Sequence, residues 1–184
     1  MGSHISNLGI AVLDADLYSN EALAEGSDGA QSVLQRYGAL IQNSTDSPGS
    51  KSTNQSRINR KALGSIVFNN PGERAWLENL IHPLVRQRFE KELAEHADSK
   101  TVVLMIPLLF EAGFTDLCTE IWVVRCQPEQ QLERLQKRDQ LDEAAATARI
   151  AAQWPLEQKE QLADQLIDTS IDPWRWKEHV QRLL

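Results

Sequence analysis

An apolar run that stops at two carboxylates constrains the fold of this chain most strongly. Residues 10–13 are all apolar, Asp14 follows directly, and Asp16 comes after one alanine. A run of this kind predicts a buried strand that delivers two acidic side chains to its carboxyl end, the edge at which open α/β sheets bind ligands. The alternative is an acidic turn in which Asp16 caps the helix that begins at Leu17.

Further apolar segments predict further strands at residues 101–106, 120–125 and 165–167. The segment at 101–106 is apolar on both faces, which is typical of a parallel strand covered on both sides. Helical spacing between the strands predicts helices at residues 17–25, 27–37, 60–68, 73–96, 127–138, 142–152, 155–163 and 172–184. The sequence therefore predicts an α/β fold with a parallel sheet. A break is expected at His82-Pro83, because proline restricts the residue before it.

The size and charge of the chain favour one globular domain over residues 1–184. A length of 184 residues with 41% hydrophobic residues is enough for one real core. The net charge of −7 argues against a general nucleic-acid binder, which needs a basic face. The polar segment at residues 42–56 has almost no apolar side chain, so we expect a mobile surface loop and not a domain boundary.

Neither a membrane span nor a metal site is predicted. The longest strongly apolar stretch, residues 102–110, is too short to cross a bilayer. Cys118 and Cys126 lack the spacing of a zinc site or a disulfide framework, and the four histidines are scattered. We therefore expect a reduced cytoplasmic protein with no nucleic-acid or membrane partner.

Two clusters near the predicted strand ends are candidates for chemistry. Pro107 turns the chain outward after a strand, and the apolar side chains that follow suit one wall of a pocket, although core packing is the alternative. Arg134, Lys137 and Arg138 are spaced by three and four residues, so at least two share a helix face. A phosphate site and an ordinary solvated face are both compatible with that spacing.

Several ordered segments resemble the dephospho-coenzyme A kinases, a family of the P-loop kinase group, over nearly all of the chain from Leu8 onward. The segments are VLDAD at 12–16, NRKALGSIVF at 59–68, LENLIHPLVR at 77–86, IPLLFEAG at 106–113, QLERLQKRD at 131–139 and ARIAAQWPLEQKEQLAD at 148–164. Each segment alone is weak, but their joint order and spacing make a chance similarity improbable.

The resemblance implies a P-loop NTPase-like parallel sheet flanked by helices, with a helical acceptor-side insertion at about 57–97 and a lid at about 129–153. It implies a phosphotransferase that moves the γ-phosphate of ATP to the ribose 3′-hydroxyl of dephospho-coenzyme A, with Mg²⁺ as cofactor. Asp16 would accept the hydroxyl proton, and Asp14 would hold substrate or a magnesium-bound water. Arg138, together with Arg134, would neutralise transition-state charge from a mobile lid.

The same resemblance assigns residues to the acceptor and the nucleotide. The acceptor side would be lined by Arg60, His82, Arg86, Pro107, Leu108, Leu109, Phe110 and Glu111. Arg134, Thr169 and Ser170 would lie near the nucleotide. The family usually has asparagine where this chain has Thr169. We therefore expect this chain to differ from the family in its contacts with adenine. Without the family context, His82 would be a helix-break residue that bonds a nearby carbonyl.

One large departure separates the chain from the family pattern. A P-loop kinase begins with an apolar strand followed by G-x-x-x-x-G-K-[ST], and none of the nine glycines here is followed by lysine. The segment PGSKST at 48–53 lacks a leading glycine and a preceding strand, so it is not a phosphate loop. Residues 4–7 would be the tail of the first helix. We expect weak ATP binding, little activity, and self-association through exposed sheet edges.

Two other interpretations remain open. The chain could be a non-catalytic binding module that keeps an acceptor pocket for a coenzyme A precursor without the nucleotide half. It could also be another nucleotide kinase of the same fold. A panel of acceptors, with nucleoside monophosphates as the competing substrates, distinguishes the kinases. The coding DNA upstream of Met1 distinguishes the enzyme from the binding module, because an in-frame strand with G-x-x-x-x-G-K-[ST] would favour the enzyme.

Overall fold

The computed structural model describes residues 1–42 and 58–184, which form two compact units. The central unit comprises residues 11–106, and the terminal unit comprises residues 1–10 and 107–184. The central unit contains β1 (Ala11–Asp14), α2 (Ala15–Ala22), α3 (Asp28–Tyr37), α4 (Arg60–Asn69), α5 (Pro71–Glu95) and β2 (Val102–Met105). The terminal unit contains α1 (Gly2–Ser6), β3 (Trp122–Arg125), α6 (Pro128–Asp139), α7 (Glu143–Ala151), α8 (Leu156–Gln161), β4 (Gln165–Asp168) and α9 (Pro173–Leu183).

Strand β1 of the central unit pairs with β2 in parallel. The register runs from Ala11 opposite Val102 to Asp14 opposite Met105, so the two strands end side by side. Parallel strands require a long crossover, and the helices α2 to α5 supply it. The prediction of a parallel pair at these two apolar runs is confirmed. Every residue of β2 is half-buried, so burial of this strand is less complete than its composition suggested.

The core of the central unit lies between its helices. Val33 and Ile41 are completely buried, and Ile58 and Leu63 are nearly so. Helix α3 begins very close to the end of α2: a Cβ at Gly29 would lie 2.3 Å from the carbonyl oxygen of Ala22. Only glycine permits this approach of two backbones without displacement.

Helix α5 continues through Pro83, so the predicted break at His82-Pro83 is wrong. The helix spans Pro71–Glu95 with the proline in its interior. Proline removes its own amide hydrogen bond and crowds the carbonyl of the preceding turn. Pro83 is exposed, which places its ring away from the core. The buried positions Ile81, Val85 and Phe89 form one stripe across the proline, and their packing outweighs the lost bond.

Strands β3 and β4 of the terminal unit also pair in parallel, from Trp122 opposite Gln165 to Arg125 opposite Asp168. Ile167 of β4 and Val180 of α9 are completely buried, and α9 packs against β4. Helix α1 belongs to this unit. His4 contacts the ring of Trp176 edge to face, with ring centroids 5.4 Å apart.

The remaining element predictions agree with the structure to within a few residues. Gly38 follows α3 with a φ of 51°, as expected of a residue that ends a helix, and Asp142 caps α7 by accepting from the amide of Ala145. The polar loop predicted at 42–56 and the PGSKST segment lie outside the described residues, except that Gln42 forms a bridge with Ile58. Within residues 1–42 and 58–184, no helix combines the length and apolar character that crossing a bilayer requires.

Candidate functional site

The two carboxylates at the end of β1 occupy different positions. Asp14 is the last residue of the strand, and its Oδ1 accepts a hydrogen bond of 2.8 Å from the amide of Asp16. Asp14 is therefore the N-cap of α2, so the expected alternative of a cap at Asp16 is wrong. Asp16 lies exposed in the first turn of that helix. The strand and the cap together hold Asp16 at the carboxyl end of the parallel pair.

Arg60 reaches the helix that carries Asp16. Asn59 caps α4 by accepting from the amide of Ala62, which places Arg60 at the first position of the helix. The Arg60 Nη2 then donates to the carbonyl oxygen of Asn20 over 3.1 Å. Asn20 lies one turn after Asp16 on α2. The structure thus brings a cation and a carboxylate, 44 residues apart in the numbering, to the same short helix.

His82 and Arg86 lie on α5, the helix that packs against α2. They are spaced by four residues and share a helix face, and both are half-buried. The Nε of Arg86 donates to Glu90 over 2.9 Å, one turn further along. The ring of Tyr18 on α2 meets Phe89 edge to face with a centroid distance of 4.9 Å, which fixes α5 against α2.

A charged contact reinforces the packing of α2 on α5. The Nε of Arg88 donates to Glu21 over 3.1 Å, and its guanidinium also pairs with Glu92. The same guanidinium lies 5.1 Å from the centroid of the Tyr18 ring. Burial is the main cause that raises the pKa of Tyr18, so this phenol stays protonated at neutral pH. These contacts hold α2, the helix that carries Asp16, against α5.

The PLLFEAG segment at 107–113 lies in the terminal unit and forms a single helical turn. The amide of Phe114 donates to the carbonyl oxygen of Leu109 over 3.0 Å, and the amide of Gly113 donates to the carbonyl oxygen of Phe110 over 3.1 Å. This pair of bonds is a Schellman motif, and it requires the φ of 67° that Gly113 adopts. Leu108, Leu109 and Phe110 are half-buried, whereas Pro107 is exposed.

Glu111 points its carboxylate at a second segment of the terminal unit. Its Oε1 lies 2.7 Å from the Nζ of Lys159 and accepts from the amide of Trp154 over 2.9 Å. Burial favours the protonated form, but the bonds from Lys159 and Trp154 outweigh it and lower the pKa of Glu111. The rings of Phe110 and Trp154 stack with a centroid distance of 6.1 Å. A direct contact of Glu111 with substrate stays a prediction.

The three residues predicted near the nucleotide lie together. Arg134 of α6 donates through Nη1 to the hydroxyl of Thr169 over 3.1 Å and through Nη2 to its carbonyl over 2.9 Å. The Ser170 amide donates to Oδ1 of Asp168 over 2.8 Å, and the Ser170 hydroxyl donates to the same oxygen. These bonds from Ser170, followed by that from Arg125, lower the pKa of Asp168. The turn after β4 is thereby fixed to α6.

Arg138 lies in the last turn of α6, and its guanidinium bonds to the carboxylate of the adjacent residue, Asp139. Its Nε and Nη2 donate to the two oxygens of Asp139 over 2.8 and 3.1 Å, and Arg149 of α7 also pairs with Asp139. The bonds from Arg138 are the largest cause that lowers the pKa of Asp139. The side chain of Arg138 is 74% exposed, so its position does not depend on packing in a core.

Sequence reasoning missed the partners of these site residues. Asp139 and Arg149 hold the end of α6, and Trp154 and Lys159 hold Glu111. Trp154 and Lys159 belong to the segment at 148–164, which the family resemblance included, and that inclusion was the one sequence signal that these two residues matter. Their pairing with Glu111 spans more than 40 residues, and helical or strand periodicity carries no information over that distance.

The described carboxylates do not form a complete cage for a metal ion. Within residues 1–42 and 58–184, no group of three or more His, Cys, Asp or Glu side chains could hold one. Mg²⁺ in kinases is held mainly by substrate phosphates and water with one or two carboxylates, so the pair at the end of β1 has a suitable donor set.

Comparison with known proteins gives a consistent family assignment. A family model described as dephospho-CoA kinase matches residues 1–172. A dephospho-CoA kinase of Synechococcus sp. (strain CC9605) is 50% identical over 184 residues, which cover 100% of this chain and 84% of the relative. A dephospho-CoA kinase of Gloeobacter violaceus is 45% identical over 184 residues, with the same coverage of both chains, 100% and 84%.

Solved structures are similar over almost the whole chain. The crystal structure of TT1252 from Thermus thermophilus superposes with a TM-score of 0.77 at 25% identity, and covers 98% of this chain and 86% of that one. A dephospho-CoA kinase from Campylobacter jejuni superposes with a TM-score of 0.64 at 27% identity, and covers 97% of this chain and 85% of that one.

Proposed function

The chain belongs to the dephospho-CoA kinase family, and from that premise we propose how its residues carry out ATP-dependent phosphorylation of dephospho-coenzyme A. The reaction transfers the γ-phosphate of ATP to the ribose 3′-hydroxyl, the final step of coenzyme A synthesis. The α/β fold predicted as P-loop NTPase-like is confirmed by the likeness to the Campylobacter jejuni kinase. The placement of Asp16 on the first turn of α2, at the end of a parallel strand, with Arg60 of α4 bonded to Asn20 of the same helix, carries the proposal.

Asp16 is the residue we assign to the attacking hydroxyl. Phosphoryl transfer needs a group that orients the nucleophile and accepts its proton. Asp16 is exposed, whereas one oxygen of Asp14 is engaged in capping α2. Asp14 therefore fixes the helix and presents its remaining oxygen to substrate or to a magnesium-bound water.

Arg60, His82 and Arg86 would hold the acceptor. Arg60 of α4 bonds to Asn20 of α2, whereas His82 and Arg86 belong to α5, which packs against α2. The two arginines suit the diphosphate of dephospho-coenzyme A. The half-buried side chains of Leu108, Leu109 and Phe110 would contact the less polar parts of the acceptor. Pro107 turns the chain outward after β2, and Glu111 would be the last residue of the loop to line the acceptor side.

Arg138 and Arg134 would serve the donor nucleotide. The exposed guanidinium of Arg138 would leave Asp139 for the moving phosphate and stabilise the charge that develops there. Arg134 already fixes the turn at Thr169 and Ser170, which supports a nucleotide contact at that turn. Use of ATP follows from the family, whereas these contacts are our proposal.

Mg²⁺ is proposed as the metal ion of the reaction. Asp14 and Asp16 are the residues of this chain that would hold it, directly or through water. When bound, the ion neutralises charge on the phosphate oxygens. The chain's own contribution is to present these carboxylates on a strand end and a capped helix.

We further propose that the 184-residue polypeptide has weak affinity for ATP, because its sequence contains no G-x-x-x-x-G-K-[ST]. That loop supplies the backbone amides and the lysine that cradle the nucleotide phosphates. The second candidate function is a binding module that retains dephospho-coenzyme A without transferring phosphate to it. A nucleotide kinase with another acceptor stays an alternative that an acceptor panel would test. The proposed location is the cytoplasm.

Binding of dephospho-coenzyme A tests the acceptor assignment without requiring turnover. Titration calorimetry should show saturable binding, and Arg60→Met should weaken it about tenfold, the effect of losing one hydrogen bond to a charged group. Lys61→Met is the matched control, because Lys61 is the exposed neighbour of Arg60 on the same helix. Absence of binding, or equal losses in the two variants, would contradict the assignment.

A further inference from the structure

We propose that Glu111 and Lys159 form a positioning pair that couples the acceptor loop, residues 107–113, to the post-lid segment, residues 152–159. The acceptor role of the loop rests on the proposed function, whereas the coupling itself rests on contacts within the terminal unit. Neither residue needs to touch substrate. Their effect would be to hold the turn that carries Leu108, Leu109 and Phe110.

Three contacts join the loop to the post-lid segment. The Nζ of Lys159 lies 2.7 Å from Oε1 of Glu111. The amide of Trp154 donates to the same oxygen over 2.9 Å. The ring of Phe110 stacks on that of Trp154, with an angle of 10° between the ring planes. Two polar bonds and one ring contact thus connect segments that are distant in the sequence.

The ion pair is shielded from water on both sides. The side chains of Lys159 and Glu111 are 11% and 17% exposed. Among the described residues, Lys159 is the only buried residue with a charged side chain. A buried charge is costly once its partner is removed, because the remaining charge is uncompensated. The state of one segment therefore affects the other.

The geometry favours a positioning role over simple stabilisation. Oε2 of Glu111 is buried and has no hydrogen-bond partner within the described part of the chain, so the carboxylate is desolvated without full compensation. An apolar pair of similar volume would stabilise such a contact at least as well. The ion pair also restricts the orientation of the carboxylate, because Oε1 of Glu111 must lie within bonding distance of both the Lys159 ammonium and the Trp154 amide hydrogen.

Fixing Glu111 fixes the apolar side chains of the loop. Glu111 lies inside the one turn that the Schellman bonds at Gly113 and Phe114 close. Rotation of that turn would move Leu108, Leu109 and Phe110 together. Neutralisation of Glu111 by Lys159 also removes a charge that would repel the anionic diphosphate of the acceptor. The pair therefore serves the acceptor without contacting it.

Hydrogen exchange measured by mass spectrometry tests the coupling in the full chain. Lys159→Met should speed exchange in peptides that cover residues 112–114 about tenfold, which is within the range of coupling between residues in contact. Lys159→Arg keeps the charge and should return exchange to the original rate. Lys91→Met is the control, because Lys91 is 68% exposed and lies 4.0 Å from Glu95.

The reciprocal variant and ligand binding complete the test. Glu111→Gln should speed exchange at the amide of Trp154, whereas Glu157→Gln, an exposed change on α8, should not. Lys159→Met should weaken binding of dephospho-coenzyme A about tenfold, and Lys159→Arg should restore it. Rescue by the conservative variant separates positioning from loss of the fold.

The outcomes are distinguishable from those of the proposed function. If the unaltered chain binds no dephospho-coenzyme A, the proposed function fails, and the exchange data alone decide the coupling. Unchanged exchange at 112–114 in Lys159→Met overturns the inference. Equal acceleration in the strands β3 and β4 also overturns it, because the pair would then be only a stabilising contact. If Lys159→Met does not fold, Glu111→Gln and Lys159→Arg decide by the same criteria.

Discussion

The two carboxylates at the end of β1 perform different tasks although one residue separates them. Asp14 accepts the amide hydrogen of Asp16 and caps α2, whereas Asp16 is exposed on the first turn. Helix capping and a catalytic role are therefore not alternatives for Asp14 and Asp16 taken together. Capping belongs to Asp14, and the chemical role is proposed for Asp16.

Replacement of Asp14 tests its structural role separately. Asp14→Ala should lower the free energy of unfolding by about 1 kcal/mol, the usual cost of losing an N-cap. Asp14→Asn should cost much less, because an asparagine oxygen also caps a helix. Urea unfolding followed by circular dichroism measures both. A loss in Asp14→Asn as large as in Asp14→Ala would show that the charge matters and the cap does not.

Glu73 is the residue whose charge depends most clearly on a neighbour. Arg36 donates to its two carboxylate oxygens over 2.7 and 2.9 Å, and the Tyr37 hydroxyl donates over 2.6 Å. The bonds from Arg36, then Tyr37, lower the pKa of Glu73 to about 2. Because the folded pKa lies below the unfolded one, this group contributes stability above about pH 4.5, which is lost as the pH falls toward about 2.

Glu73→Gln should therefore be less stable than the unaltered chain at neutral pH, and the difference should shrink in acid. Urea unfolding from neutral pH down to about pH 3 measures the difference. Glu95→Gln on the same helix is the control, since Glu95 is exposed and lies 4.0 Å from Lys91. A Glu73→Gln difference that stays constant across this range would refute the linkage.

For single residues, the sequence predicted which side chains belong to the candidate site better than it predicted which side chains they contact. Asp14 and Asp16 were located because an apolar run ended at them. Two contacts were not predictable: Arg134 with Thr169, which are 35 residues apart, and Glu111 with Lys159, which are 48 residues apart. Both depend on tertiary packing, which local residue spacing does not encode. The grouping of Arg134 with Thr169 and Ser170 came from the family resemblance alone.

Among the elements, α5 shows how packing outweighs a local signal. Pro83 favours a helix end, yet the buried stripe of Ile81, Val85 and Phe89 runs across it. A helix interior tolerates the proline only because tertiary contacts compensate for the lost backbone bond. The strands and the other helices were predictable because their periodicity and caps agree with their packing.

Pro83→Ala should stabilise the chain if α5 is continuous in solution. Alanine restores the amide and removes the ring, and the free energy of unfolding should rise by about 1–3 kcal/mol. Pro71→Ala is the control, because Pro71 occupies the first turn of the same helix, where proline has no lost bond. Denaturation midpoints compare the two. A loss of stability in Pro83→Ala would mean that the proline supports a bend.

For the molecule as a whole, residues with proposed roles occur in each of the two compact units. The central unit contains the acid pair and Arg60, and the terminal unit contains the acceptor loop and the arginines of α6. Each unit has one parallel pair of strands among the described residues. Unpaired strand edges of such small sheets favour association with another chain.

Self-association is accordingly expected of the 184-residue polypeptide. Sedimentation velocity should show a larger average mass as the concentration rises. Val124→Lys should reduce the effect, since Val124 on β3 is 47% exposed and a lysine there disfavours edge pairing. Leu40→Lys, at an exposed position outside the strands, is the comparison. A monomer at every concentration would refute this expectation.

The most direct test of the account is phosphoryl transfer from ATP to dephospho-coenzyme A. It should be measured for the 184-residue polypeptide and for the same polypeptide joined to an N-terminal strand and a G-x-x-x-x-G-K-[ST] loop. The account predicts little turnover by the first and 3′-phosphorylation by the second. Asp16→Asn in the second should lower kcat by about a hundredfold or more. Full turnover without the loop, or an unchanged kcat in Asp16→Asn, would contradict it.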